Sequence, residues 1–380
     1  MALPPVPDDA LRCALIGPSR VGKTSLVTAV IDDAQRLLQG QPVHIVPADG
    51  PTRKTVNQAR DRMRGAIDAR AFDAEALKGT NEPHLFNIRL ATGGRHRESG
   101  VTFAILDYPG GWFADPTEVP SEREPEWEQC RDFMAESTVL LVPIDAAVLM
   151  ETATPAHRAR VPSILAVSEV EDVVREWSME RSRPGSRDEP AVLVLCPLKC
   201  EAYFDDNGGS EDRAAELLHR VQDVYGPVAA AARAEAQGRS LQVLYSPVDT
   251  YGCVELVRAE WDPQFLATYR VRPGGRPHPV GAAPILQVFC QLLVQAEEAQ
   301  AREAADDRWA ASFIAATELQ RPRGFFRRLA FKWSGDQARI EDVRQSSETE
   351  AAELELRVTE LKATVKQLAD ADMGPRVARL

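Results

Sequence analysis

Residues 17 to 25 read Gly17-Pro-Ser-Arg-Val-Gly-Lys-Thr-Ser25, which matches the phosphate-binding pattern G-x-x-x-x-G-K-[ST]. An apolar run, Cys13-Ala-Leu-Ile16, precedes the motif, and apolar residues at helical spacing follow it. The pattern carries meaning only between a strand and a helix, and both are predicted here. We therefore expect a loop whose backbone N–H groups surround a phosphate at the N-terminus of a helix.

The motif predicts a role for each of its residues. Lys23 is expected to reach the β- and γ-phosphates of a nucleoside triphosphate, and the Thr24 hydroxyl is expected to bind Mg²⁺. The other residues expected to surround the phosphates are Gly17, Ser19, Arg20, Val21, Gly22 and Ser25. The cofactors implied are a nucleoside triphosphate and Mg²⁺.

Length and charge narrow the classes of function. The chain has 380 residues and a net charge of −12, so it lacks the excess of positive charge that would bind the phosphates of nucleic acid. Its six cysteines are scattered and do not have the spacing of a zinc site. The sequence has no pattern of a signal peptide and no apolar stretch approaching about 20 residues. We expect a cytoplasmic protein with reduced cysteines that does not bind nucleic acid.

Apolar runs of strand length alternate with helical patterns from residue 12 to about 300, which predicts an α/β domain with a mostly parallel sheet. Strands are predicted at 12–16, 43–47, 85–90, 101–107, 138–144, 191–196 and 241–246. Helices are predicted near 24–39, 53–70, 122–136, 164–180, 211–236 and 284–319, the fifth of them divided at Gly226-Pro227. A turn rich in Gly joins the third and fourth strands, so they are predicted to form a hairpin that places one antiparallel strand in the sheet.

The chain is predicted to divide into three parts. Residues 1–10 are expected to be a flexible N-terminus, residues 11–300 a P-loop domain, and residues 301–380 a helical extension. The domain is expected to contain an insertion at about 250–284, whose role the sequence does not indicate. The fold class expected is thus a P-loop NTPase with a C-terminal helical appendage.

Two patterns in the extension suggest contacts. The segment Phe325–Trp333 places aromatic and apolar side chains on one helical face with Arg and Lys around it. Such a face is typical of peripheral contact with an anionic membrane surface or a partner's groove, but we favour docking on the P-loop domain. Coiled-coil spacing is followed farther on by Leu354, Val358, Leu361, Val365 and Leu368. This seam is short, so a helical hairpin or docking on the domain is equally compatible with it.

A second motif, Leu106-Asp-Tyr-Pro-Gly110, ends the second strand of the predicted hairpin. A carboxylate at that position can hold Mg²⁺, so Asp107 is expected to be a metal ligand, and the Gly110 N–H is expected to contact the γ-phosphate. Asp145 also ends an apolar run but has no glycine three residues later. The combination of D-x-x-G, a preceding hairpin and an upstream P-loop resembles the translation-factor-related (TRAFAC) class of GTPases. In style the chain is similar to the bacterial GTPases of conflict and stress-response operons.

The resemblance implies further site residues. Thr80 is expected to complete the Mg²⁺ shell and take part in catalysis, in preference to Thr52 and Thr55, which lie farther upstream. In the base motif, Lys199 is expected to pack along the base, and Glu201 to accept from guanine N1 and N2 where the class has Asp. Ser246 is expected to touch the base. Leu198 stands where the class has Asn or Thr, and guanine remains favoured over adenine.

Gly111 follows the D-x-x-G glycine, where many members of the class have a water-orienting Gln. We therefore expect slow hydrolysis, with Arg20, Arg53 or Arg60 as candidate sources of charge. The leading hypothesis is a GTP-binding, slowly GTP-hydrolysing switch whose C-terminal helices signal nucleotide state to a protein partner or self-associate. The alternatives are a dynamin-like GTPase that assembles at a membrane surface and a nucleotide-binding module without hydrolysis.

Overall fold

A mixed α/β sheet lies at the centre of the computed structural model, which describes residues 4–7, 10–68, 82–93, 100–114, 117, 119–182, 190–207, 211–236, 241–261, 265–310, 340 and 348–380. In chain order the strands are β1 Leu11–Leu15, β2 Val43–Pro47, β3 His84–Thr92, β4 Gly100–Asp107, β5 Val139–Asp145, β6 Ala191–Leu198, β7 Leu241–Tyr245, β8 Val254–Glu260, β9 Leu266–Val271 and β10 Ala378–Arg379. The helices are α1 Lys23–Leu37, α2 Gly50–Asp68, α3 Gly110–Ala114, α4 Glu124–Glu136, α5 Ala146–Met150, α6 Pro155–Ile164, α7 Val167–Arg181, α8 Ala214–Ala236, α9 Ala283–Ala310 and α10 Glu348–Asp370.

Eight strands form one sheet in the order β10-β7-β6-β5-β1-β4-β3-β2. The strand before the phosphate-binding motif, β1, lies between β4 and β5 and is parallel to both. The predicted hairpin is confirmed, because β3 runs antiparallel to β4. The sequence predicts one antiparallel strand in the sheet, but β10 is a further one, because it runs antiparallel to its neighbour β7. With only two residues, β10 is too short to give the alternating pattern by which a strand is predicted.

The central strands are apolar along their whole length because helices cover both faces of the sheet. Every residue of β4, β5 and β6 is buried. On one face, α1, α9 and α10 contribute to a single apolar core. On the other face, α4, α7 and α8 contribute to a second core. This layering leaves the ends of the parallel strands and the loops that follow them as the places where polar groups can meet.

The last helix, α10, packs against α9 and β3 of the same chain. Its residues Leu361, Val365 and Leu368 are buried in the core that α1 and α9 share. These are three positions of the predicted coiled-coil seam, so docking on the domain is the alternative that the structure bears out. The segment Phe325–Trp333 lies outside the described residues.

The predicted division of the fifth helix at Gly226-Pro227 is wrong, because α8 continues from Ala214 to Ala236 with Pro227 inside it. Tyr225 and Val228, on either side of the Gly-Pro pair, are buried in the core beside α7. We infer that this burial outweighs the backbone hydrogen bond that proline removes from the helix.

The predicted insertion contains the hairpin formed by β8 and β9, which is separate from the main sheet. Met63 of α2 is buried in a small apolar cluster with Cys253, Val254, Tyr269 and Val271 of this region. The cluster joins α2 to the hairpin. Among the described residues, no helix has the length and apolar character needed to cross a membrane.

Candidate functional site

The phosphate-binding motif forms the loop between β1 and α1. Gly22 has φ 108°, a left-handed conformation that favours glycine, and it forms the N-cap of α1. No side chain caps this end of α1, and its first turn has no acidic residue. This end of α1 therefore directs backbone N–H groups toward the loop, and the helix dipole adds positive potential there, as an anion site requires.

Lys23 is buried inside this loop, with 6% of its surface exposed. Its Nζ donates hydrogen bonds to the carbonyl oxygens of Gly17 at 2.8 Å and Pro18 at 2.9 Å. Burial lowers the pKa of Lys23 to about 8, and the charge of Asp107 opposes that shift. At neutral pH the ammonium group therefore remains mostly charged, held where a phosphate would replace the two carbonyls as its partner.

The hydroxyl of Thr24, in the first turn of α1, meets the carboxylate of Asp107, the last residue of β4. Thr24 Oγ1 donates to Asp107 Oδ2 at 2.6 Å, and Asp107 is only 1% exposed. Mg²⁺ prefers oxygen ligands and is often held by one or two protein groups together with phosphate and water. This pair fits that donor set. Within the described ranges, no cluster of three or more His, Cys, Asp or Glu side chains is placed to hold a metal.

The D-x-x-G segment packs directly on the phosphate-binding loop. A Cβ added at Gly110 would lie 2.2 Å from the backbone nitrogen of Ser19 and 2.3 Å from the carbonyl carbon of Pro18. Only glycine fits there without moving the loop. Gly17 N donates to the hydroxyl of Tyr108 at 3.3 Å, which ties the two motifs together from the other side.

A cavity of about 440 Å³ opens over these groups, a size typical of small-molecule sites. Its lining includes most residues of the phosphate-binding motif, together with Asp107, Gly110 and Lys199. The complete lining is Ser19, Arg20, Val21, Gly22, Lys23, Thr24, Ser25, Thr55, Gln58, Ala59, Arg62, Glu82, His84, Phe86, Asp107, Tyr108, Gly110, Leu198, Lys199, Thr250, Tyr251, Val254 and Tyr269. Thr80 lies outside the described residues.

Two expected base-contacting residues do not line the cavity. Glu201 is 1% exposed, and its Oε1 accepts hydrogen bonds from the backbone nitrogens of Tyr251 at 3.2 Å and Gly252 at 3.1 Å. Burial, together with the charge of Asp249, raises the pKa of Glu201 to about 7. Ser246 is 2% exposed and is not part of the lining. Glu201 thus orients a loop of the cavity wall and does not itself face the cavity.

Lys199 lies at the cavity wall with φ 61° and forms an ion pair with Asp145. Its Nζ is 3.5 Å from the carbonyl oxygen of Arg20 and 5.9 Å from the centre of the Tyr269 ring. Asp145 also accepts from the backbone nitrogen of Ala147 at 3.0 Å and so caps α5. Asp145, the other acid that ends an apolar strand, is therefore engaged with Lys199 and α5. Asp107 instead contacts Thr24 of the motif.

Sequence analysis missed the α2 face of the site. The cavity-lining residues of α2 are Thr55, Gln58, Ala59 and Arg62. Their spacing of three, one and three places them on one stripe of the helix, about 10 Å long at 1.5 Å per residue. The same spacing is visible in the sequence, but the polarity of these residues resembles an exposed face. Thr55, which sequence analysis placed below Thr80 as a candidate, thus lines the same cavity as residues 19–25.

The predicted insertion also supplies part of the wall, through Tyr251, Val254 and Tyr269. The hydroxyls of Tyr251 and Ser25 are 2.7 Å apart, so the loop after β7 contacts the start of α1. Burial raises the pKa of Tyr251, and the positive charge of Arg62 acts against that rise. Nothing in the local sequence indicates that this segment reaches Ser25, because the contact depends on the path of the whole chain.

The candidate arginines are distributed differently from the sequence expectation. Arg20 lines the cavity, whereas Arg60 pairs with Asp32 of α1. Arg53 is exposed and outside the lining, and Arg62 takes a place in it. His84, directly opposite Asp107 in the β3–β4 register, also lines the cavity. Burial lowers the pKa of His84, and the charges of Asp107 and Asp49 oppose the shift.

Comparison of the chain with models of known protein families gave no match, and comparison with curated proteins likewise gave none.

Proposed function

We propose that this chain binds GTP with Mg²⁺ and hydrolyses it slowly, as a switch whose C-terminal helices signal nucleotide state. The observation that carries the proposal is the pairing of Thr24 with Asp107 at 2.6 Å, beside the uncapped N-terminus of α1. A hydroxyl, a carboxylate, a buried lysine and a helix N-terminus without a side-chain cap form a donor set suited to a metal-bound triphosphate. The D-x-x-G glycine pressed against the loop supports the same assignment.

The residues of the phosphate end have separable tasks. Lys23 would exchange its bonds with Gly17 and Pro18 for the β- and γ-phosphates, because an ammonium binds phosphate more strongly than a neutral carbonyl. Thr24 and Asp107 would hold Mg²⁺, which supplies charge neutralisation between the phosphates. The N–H groups of Gly22 and the first turn of α1 would orient the phosphate oxygens.

Guanine remains the proposed base, with Lys199 as its packing surface. Lys199 lies on the wall beside Leu198 and Tyr269, where a flat base can stack on apolar and aromatic surface. Glu201 would contribute through the loop at Tyr251, which it holds by two backbone hydrogen bonds. Direct contact between Glu201 and a base would require that loop to release its carboxylate.

Slow hydrolysis is proposed because Gly111 offers no side chain to orient water. Arg20 and Arg62 line the cavity and are the arginines placed to stabilise developing negative charge. A nucleotide-binding module without hydrolysis is the second candidate, and the same Gly111 favours it. The dynamin-like alternative depends on Phe325–Trp333, outside the described residues.

The test is binding of fluorescent GTP and ATP analogues with and without Mg²⁺ to wild type and Lys23→Ala, with Lys366→Ala as a control on exposed α10 surface. We expect Mg²⁺-dependent binding that prefers GTP, is lost in Lys23→Ala and is retained in Lys366→Ala. Preference for ATP would overturn the guanine assignment. Phosphate release in a single turnover then separates the slow switch from the inert module, since the module would release phosphate no faster than buffer.

A further inference from the structure

A buried arginine after α10 is connected to the loop behind the cavity wall. The Arg376 side chain is 7% exposed, and its Nε donates to Asp206 Oδ2 at 2.8 Å. Its Nη2 donates to Asp206 Oδ1 and, at 3.0 Å, to Asp249 Oδ2. The guanidinium also lies 4.0 Å from the centre of the Phe204 ring. These contacts fix the segment between α10 and β10 against the loops that follow β6 and β7.

Asp249 is the buried anion in this group, with a side chain that is fully inaccessible. It accepts a second hydrogen bond from Asn207 Nδ2 at 2.9 Å, and its backbone exchanges two hydrogen bonds with Val280. A buried carboxylate stays ionised only when it is paired and hydrogen-bonded. Arg376 provides the positive charge in that pair.

The residues that follow Asp249 reach the cavity. Thr250 and Tyr251 line it, and Tyr251 contacts Ser25 of the phosphate-binding motif at 2.7 Å. Gly252 has φ 65°, and a Cβ there would lie 1.9 Å from the carbonyl oxygen of His278. Residues 249–252 therefore have little room to adjust between Arg376 on one side and Ser25 on the other.

We propose that Arg376 is a positioning residue of the nucleotide site, which holds residues 249–252 against α1 and so couples the C-terminal segment to nucleotide affinity. The inference rests on the proposed function, since it concerns regulation of that same site. Without the guanidinium, Asp249 would lose its cationic partner while buried beside the carboxyl group of Glu201, and keeping Asp249 ionised would be costly. Displacement of the loop relieves that cost, and Tyr251 then leaves Ser25.

Coupling of this kind is reciprocal, so bound nucleotide must stabilise the C-terminal segment by the same factor. This predicts slower amide hydrogen exchange in residues 372–380 of the wild-type protein when GTP and Mg²⁺ are added. A purely structural arginine would not make exchange in that segment depend on nucleotide.

The experiment compares wild type with Arg376→Met, Arg376→Lys and the control Arg379→Met, which alters an exposed arginine of β10. For Arg376→Met we expect affinity for the fluorescent GTP analogue on the order of tenfold weaker, within the usual range of coupling between sites. We also expect faster exchange at residues 249–253 and loss of the nucleotide effect at 372–380. Arg376→Lys should recover part of the affinity, and Arg379→Met should match wild type.

A second variant separates electrostatic positioning from general damage. Asp249→Asn combined with Arg376→Met removes both charges, so it should bind nucleotide more tightly than Arg376→Met alone. If Arg376→Met exchanges faster at 249–253 but binds with wild-type affinity, the coupling is overturned. If the wild-type protein binds no nucleotide, the proposed function fails. The exchange at 249–253 then decides the positioning role alone, which unchanged exchange in Arg376→Met would exclude.

Discussion

Two parts of the cavity are assembled in different ways. We call them the proposed phosphate end, around residues 17–25 and 107–110, and the opposite end, which is the rest of the wall. The phosphate end takes its central groups from two short segments, residues 17–25 and 107–110, which follow neighbouring parallel strands. The opposite end joins α2, the loop after β7 and the β8–β9 hairpin, with the C-terminal segment behind them. The side chains of a short segment keep a fixed spacing along the chain, so the sequence alone can indicate them. A wall made of distant segments depends on the packing of the whole chain.

The largest loss of affinity is expected from Gly110→Ala, which should displace the loop of residues 17–25 at the proposed phosphate end. The added methyl group would lie 2.2 Å from Ser19 N, so the loop must move. We expect GTP affinity to fall by roughly a hundredfold, which corresponds to the loss of about two hydrogen bonds to charged phosphate oxygens at roughly 1.5 kcal/mol each. Titration with the fluorescent analogue measures it. Gly226→Ala is the control, because nothing lies within 4 Å of the Cβ it adds to α8.

At the opposite end, Glu201→Gln should change how stability depends on pH. Burial raises the pKa of Glu201 to about 7 in the folded protein, above its ordinary value of 4.5. The folded state therefore holds this proton to higher pH than the unfolded chain, and wild-type stability falls as pH rises from 4.5 to 7. The loss is on the order of 3 kcal/mol, for a shift of roughly two and a half pKa units at 1.36 kcal/mol each.

Urea unfolding of both proteins at pH 5 and pH 8 measures this difference. Glu201→Gln, which is neutral throughout, should gain stability relative to wild type at pH 8. The exposed Glu128 provides the control Glu128→Gln, which should follow the wild-type dependence. Equal pH dependence in Glu201→Gln and wild type would contradict the raised pKa.

Asp107→Asn sharpens the comparison at the metal pair. The amide keeps the shape of the carboxylate but loses its charge, so the Mg²⁺ requirement for nucleotide binding should rise about tenfold or more. A Mg²⁺ titration of analogue binding measures the shift. Asp145→Asn is the matched control, because Asp145 pairs with Lys199 and caps α5. A larger Mg²⁺ shift in Asp145→Asn than in Asp107→Asn would exchange the roles of the two acids.

The smallest effect is expected from Tyr251→Phe, which removes one hydrogen bond between the two ends. Loss of the contact with Ser25 should cost about 1 kcal/mol, or several-fold in affinity. A double-mutant cycle with Ser25→Ala isolates that contact. Additive effects of the two substitutions would show that the hydroxyl pair contributes no coupling.

Much of the sheet could be predicted from the sequence, because its central strands are buried on both faces and appear as uninterrupted apolar runs. All seven predicted strands form, although β10 and the β8–β9 hairpin were not predicted. Alternating polarity is weak in β8, whose exposed Val257 lies among charged residues, and this obscures the strand. The local sequence pattern therefore predicts strands well where burial is complete, and poorly for the edge strand β10 and the separate β8–β9 hairpin.

The predictions for the site show the same contrast between local sequence pattern and packing of distant segments. The sequence singled out Lys23, Thr24, Asp107 and Gly110, which the structure brings together at one cavity, because fixed spacing within a motif reflects fixed local geometry. It assigned Glu201 a place facing the ligand, whereas the carboxylate is turned toward the backbone of Tyr251 and Gly252. A one-dimensional pattern gives the position of a side chain along its strand. Its direction depends on a loop about 50 residues later in the chain.

The apolar cluster at Met63 has a consequence for the rate at which a nucleotide would enter and leave the cavity. Met63 is 5% exposed and lies among residues of the β8–β9 region, so α2 and the hairpin are held together beside the cavity proposed to bind nucleotide. A molecule that enters or leaves between them must separate this contact, at a cost that is the same whichever nucleotide is bound. Residence time would then be governed by the opening frequency of an apolar seam, and GTP and GDP would exchange at more similar rates than their affinities imply.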